Sequence, residues 1–179
     1  MLGEIEQFAD STPFQMENLA KGAQTLLSFG TNAQEIMPIL KQLGDVSGGN
    51  NQRFDSLTLA FGQMSSAGKL MGQDLLQMIN VGFNPLQEIS KRTGESMASL
   101  KDRMSKGAIS VEEVKTSFAA ATSEGGQFFG MLEKQSQTTT GLFSTLLGAW
   151  KKFQRALGEP INDAIGPWLN VLTTKLVEA

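Results

Sequence analysis

Glycine spacing constrains this chain more than any other feature. Gly30, Gly44, Gly48-Gly49, Gly68, Gly72, Gly82, Gly94 and Gly107 interrupt it at short intervals. Between them, apolar residues recur at helical spacing: Leu19, Ala23, Leu26 and Leu27, then Ile36, Met37, Leu40 and Leu43, then Phe54, Leu57, Ala60, Phe61 and Met64. Leu75, Leu76, Met78 and Ile79, then Leu86 and Ile89, then Met97, Leu100 and Met104 continue the pattern. Such stripes mark one face of a helix. A helix this short is not stable alone in water, so its stripe must be buried against a neighbour. No segment alternates like a strand between hairpin turns. The expectation is an all-α, compact multi-helix domain of at least seven short helices joined by Gly-rich turns, with longer amphipathic helices at the C-terminal end.

Boundary signals refine this. Thr12-Pro13 reads as a helix start, since proline at the first helical position loses no needed N–H. Gly30 reads as the end of that helix, and Thr31 with Gln34 as the cap of the next. Pro38 lies inside that second pattern and could kink it, and Gly44 reads as its stop. Gly68 and Gly72 bracket a turn, and Gly82 with Pro85 closes a short helix. Ser96 opens another, and Ser110 with Glu113 forms a capping box for a helix through Phe118. From Gln127 onward the pattern predicts two or three longer helices, broken near Gly158–Pro160 and Gly166-Pro167. This divides the chain into a helical domain, 1–140, and an amphipathic extension, 141–179, expected to continue into a longer protein.

Composition removes most chemistry. The 179 residues contain neither cysteine, histidine nor tyrosine. Disulfides, thiol nucleophiles and thiolate metal sites are therefore excluded, as is the side chain most used for proton transfer near neutral pH. The formal charge is −3 with no basic cluster, so specific nucleic-acid binding is not expected. Met1-Leu2-Gly3-Glu4 lacks the basic start of a secretion signal. The uncharged run from Gln135 to Trp150 carries four threonines and two glycines and falls short of a membrane span.

Three constellations invite a functional reading. From Asp102, the sequence imitates a calcium loop, with Gly107 at position 6, Ile109 at 8 and Glu113 at 12. Met104 and Lys106 occupy ligand positions, so a helix–turn–helix corner is the better reading. Gly94-Glu95-Ser96 resembles the Glu-Ser pair of lytic transglycosylases, but the Gly-Leu-Met-Gln segment expected downstream is missing. An acid beside a helix start commonly stabilises the helix N-terminus. Finally, Leu142, Phe143, Leu146, Leu147, Trp150, Phe153 and Leu157 share one helical face, opposite Lys151, Lys152 and Arg155. This stripe suits a core helix with Trp150 largely buried, a helix facing a partner, or a membrane-surface helix. Leu146, Trp150, Phe153 and Leu157 are its candidate partner face. No catalytic, cofactor-binding or metal-ligating residue emerges, and no cofactor is expected.

One ordered series is more specific. It runs through Phe29-Gly30, Leu43-Gly44-Asp45, Leu59-Ala60-Phe61-Gly62-Gln63-Met64, Ala67-Gly68-Lys69-Leu70-Met71-Gly72, Gln77 to Gly82, and Pro85. Lys106-Gly107-Ala108-Ile109-Ser110, Glu113-Val114, Gly130-Met131 and Gln135 to Gly141 follow. From about Phe14 to Trp150 this resembles the helical domain near the N-terminal end of tape measure proteins of tailed phages and prophages. The resemblance implies a non-enzymatic structural component of the virion tail, made in the bacterial host cytoplasm and acting in tail assembly and tail length determination. It implies tail assembly chaperones, tail tube and tail tip proteins, and other copies of itself as partners. The alternatives are a membrane-active helical module assisting DNA delivery and a cell-wall hydrolase resting on Glu95.

Overall fold

The computed structural model describes residues 2–138 and 146–153. Nine helices follow in order among them: α1 Leu2–Asp10, α2 Met16–Ser28, α3 Ala33–Ser47, α4 Asn51–Ala67, α5 Gly72–Asn80, α6 Pro85–Thr93, α7 Met97–Ser105, α8 Val111–Thr122 and α9 Met131–Ser136. Residues 146–153 add a further helical segment. The described residues contain no strand, only an isolated bridge between Lys69 and Ser110. There the Leu70 N–H donates to the Ile109 carbonyl at 2.9 Å, joining the α4–α5 link to the α7–α8 turn. The protein is all-α and compact.

α3 and α4 are the centre. α4 packs on α2, α3 and α5, while α3 also meets α8 and α9. α6 packs on α7 and α8, and α1 packs on α2. Leu40 and Leu43 of α3 and Phe54, Leu57 and Met64 of α4 are wholly buried. Burial of each such side chain contributes about 1.5–3 kcal/mol. Phe118 of α8 is a second focus: its ring lies 5.8 Å from Phe61 and 4.1 Å from Phe83 between centroids. A single side chain thus ties α4 and the α5–α6 link to α8.

Several helix ends differ from the sequence reading, for local reasons. A helix precedes Thr12-Pro13: the Thr12 hydroxyl donates back to the Phe8 carbonyl at 2.8 Å, so Thr12 closes α1 rather than opening α2. The cap of α3 is Asn32, whose side chain accepts from the Gln34 N–H at 3.2 Å. The Thr31 N–H instead returns to the Leu26 carbonyl at 3.1 Å and finishes α2. Together with the bond from Gly30 N–H to Leu27 at 3.0 Å, this completes a Schellman motif at Gly30, φ 85°. Gly44 is not a stop. It lies inside α3, which runs on to Ser47 and ends at Gly48 in the left-handed region. A Cβ at Gly44 would stand 2.7 Å from a methyl of Leu132, so glycine there lets α9 approach α3. Pro38 lies on the exposed side of α3.

Candidate functional site

The residues singled out as turns separate by role. Gly68 caps α4, while Gly82 and Gly107 follow the last turns of α5 and α7 with positive φ. Gly72 is the first residue of α5, and Pro85 the first of α6. Sequence reasoning missed Gly22 as a contact position, whereas Gly62 belongs to the ordered series whose glycines read as turn and close-packing positions. A Cβ at Gly62 would meet the Phe29 ring, and one at Gly22 would stand 2.9 Å from the Phe54 ring. The only signal at Gly22 was glycine inside an otherwise unbroken helical pattern.

The Asp102–Glu113 turn is a clamp built around Arg103. Its guanidinium donates to Glu95 at 2.8 Å, to Glu113 at 2.7 Å and to the Ala108 carbonyl at 2.9 Å. Glu113 also accepts from the Ser110 N–H at 2.9 Å, in the capping box of α8. Asp102 pairs with Lys106 at 2.7 Å. The two acids that begin and end the calcium-like spacing are therefore engaged by different cations.

Electrostatics follow from these contacts. The Ser99 hydroxyl and then the Arg103 guanidinium hold the Glu95 carboxyl below its ordinary range. A general acid needs the opposite shift, so Glu95 is poorly suited to donate a proton. Burial acts to raise Glu113, but its hydrogen bonds from Ser110 and Arg103 leave it lowered. Asp45 and Asp74 are raised by burial, each against one backbone bond. Asp45 accepts from the Leu132 N–H at 3.0 Å and so caps α9 from α3. Asp74 accepts from the Met71 N–H at 3.1 Å at the start of α5. No group of three or more acidic residues that could hold a metal ion occurs among the described residues.

The most unusual surface is the 146–153 segment. Lys152 Nζ donates to Asp10 at 2.6 Å and lies 3.1 Å from Glu6. Both carboxylates raise the lysine above its ordinary value, Asp10 more than Glu6. Lys151 Nζ donates to Gln15 Oε1 at 2.8 Å. The segment thus sets its cationic side against α1 and the α1–α2 link. Its apolar side is divided: Leu146 is 63% and Phe153 50% exposed, whereas Leu147 is half-buried. Trp150 is half-buried rather than in the core, with its ring 5.6 Å from that of Phe153. Leu157, Leu142 and Phe143 lie outside the described residues. Sequence reasoning did not connect Lys151 and Lys152 with Glu6, Asp10 and Gln15.

No curated protein and no solved structure matches the chain. A family model described as tape measure protein matches residues 1–159. That match takes in every helix described above, and on its extent the chain belongs to the tape measure protein family.

Proposed function

We propose that this chain is a folded assembly or docking domain of a phage tail tape measure protein, distinct from the part that measures length. The family gives a structural rather than catalytic role in the phage tail. The carrying observation is the way α3 is surrounded by α2, α4, α8 and α9. A ruler must be extended, and one continuous helix of this length would span roughly 270 Å at 1.5 Å per residue. A compact domain of this size has a radius of gyration of about 16 Å. Unrolling would expose Leu40, Leu43, Phe54 and Phe118 to water.

In this reading, residues 1–140 are the docking domain and 141–179 an extension leading onward. The partners are tail assembly chaperones, tail tube and tail tip proteins, or other copies of the chain. Deletions within the long helical region elsewhere in the tape should shorten tails in proportion to the length lost. Deleting helices from Phe14–Phe118 should reduce or abolish tail assembly without a graded change in length. Normal yields of proportionally shorter tails from such deletions would refute the proposal.

The outward Leu146 and Phe153 favour a second reading, a membrane-surface role for the extension. No helix among the described residues is long and apolar enough to cross a membrane. Co-sedimentation with liposomes, abolished by Leu146→Ser with Phe153→Ser, would support this reading.

A further inference from the structure

We infer that the 146–153 segment is a salt-releasable strap, clipped to the domain by its lysines and able to swing away without unfolding it. Three observations carry this. First, the polar contacts of the segment come from its lysine side: an amphipathic helix held by burial turns its whole apolar side inward, whereas this one sets Lys151 and Lys152 against the domain, leaves Leu146 and Phe153 outward and keeps only Leu147 and Trp150 half-buried. Second, its contact is not close-packed. A gap of about 210 Å³ remains between it and the domain, lined in part by Ala9, Phe14, Met16, Gly148 and Ala149. Third, the ions that hold it are in contact with solvent. The Lys152, Glu6 and Asp10 side chains are 39%, 50% and 55% exposed. Exposed pairs are weak and salt-screened, and the screening length shrinks to about 3 Å in 1 M salt.

Among the described residues, the charges facing this contact are Glu6 and Asp10 on α1, Glu17 on α2, and Lys151 and Lys152 on the strap. Releasing the strap would open the surface over Phe14 and Met16 and let the Trp150 face move as one piece away from the domain. The docked position is therefore one state of a two-state element whose balance follows ionic strength.

The chain has no cysteine, so two introduced thiols can be labelled cleanly. Nitroxides on Gln7→Cys and Ala149→Cys in the full chain would report the distance between α1 and the strap. We expect one short, narrow distance population at low salt and a longer, broad one in 1 M NaCl, with unchanged helical circular dichroism. Lys152→Glu should give the broad population already at low salt, and Glu6→Lys with Asp10→Lys added to it should restore the narrow one. Each ion pair lost should lower the ratio of docked to free strap about two- to fivefold. A narrow short distance that persists in 1 M NaCl and in Lys152→Glu would overturn the inference. It would mean that contact with Phe14 and Met16, rather than charge, holds the segment.

Discussion

Phe118 and Trp150 are both large aromatic residues on helices whose sequences carry an apolar stripe. Phe118 is wholly buried and meets two other rings, whereas Trp150 is half-buried and meets the exposed Phe153. The difference lies in what each helix can reach. α8 lies against α3 and α6, which offer Ile36, Leu40, Leu86 and Ile89 as buried apolar neighbours in the same core. The 146–153 segment meets the end of α1, where Glu6 and Asp10 stand one turn apart and select its lysines. A hydrophobic stripe specifies which residues share a face, and the surface available to the helix decides which face turns inward.

The widest break in this comparison should come from truncating the two aromatics. Phe118→Ala is expected to cost roughly 3–5 kcal/mol in denaturant unfolding. Trp150→Ala should lie within about 0.5 kcal/mol of the parent. Equal losses would mean that the segment is part of the core after all.

A subtler contrast uses one chemical change at two glycines. Gly62→Ala drives a methyl into the Phe29 ring and should destabilise by about 1–3 kcal/mol. Gly148→Ala adds a methyl where nothing stands within 4 Å, so helix propensity alone should act and raise the helicity of the segment. Thermal unfolding and circular dichroism of the two variants check both signs. Destabilisation by both would show that the gap beneath the segment is closed.

The smallest effect concerns pH. The Glu95 and Glu113 values are lowered in the folded protein. Their contribution is present above the ordinary glutamate value of 4.5 and is lost as pH falls through the folded values. Arg103→Gln should therefore lower the melting temperature at neutral pH, and its difference from the parent should narrow below pH 4.5. Strap variants such as Lys152→Glu should leave that difference unchanged. A difference constant from neutral pH down to acid would show that Arg103 acts by packing alone.

Much of the fold was legible because its signals are local. The Ser110–Glu113 box, the Ser96 cap, the left-handed Gly68 and Gly107, and most of the stripes of α2 to α5 involve residues within a few positions of one another, although Leu27, Leu76 and Ile79 of those stripes are exposed. The misreadings arose where a local signal competed with a nearby or distant partner. Thr12 had two helices it could serve and bonded backwards to Phe8. Gly44 read as a stop because glycine usually is one, but Leu132, far along the chain, needed the space. The strap contact was the least legible. Lysines beside an apolar stripe normally read as a solvated face, and only the folded positions of Glu6 and Asp10 bring them into contact.

The position of Phe118 also has a consequence in time. Chains emerge from the ribosome at about 5–20 residues per second, so Phe118 follows Phe61 by roughly 3–11 s. Phe83 emerges within that interval, so before Phe118 appears both Phe61 and Phe83 lack the ring that will seal them. The nascent chain then presents two unpaired aromatic faces, and neighbouring nascent copies on one message present the same pair. Slowing translation between Phe83 and Phe118 should lengthen that exposure and raise aggregation, while leaving the stability of the finished protein untouched.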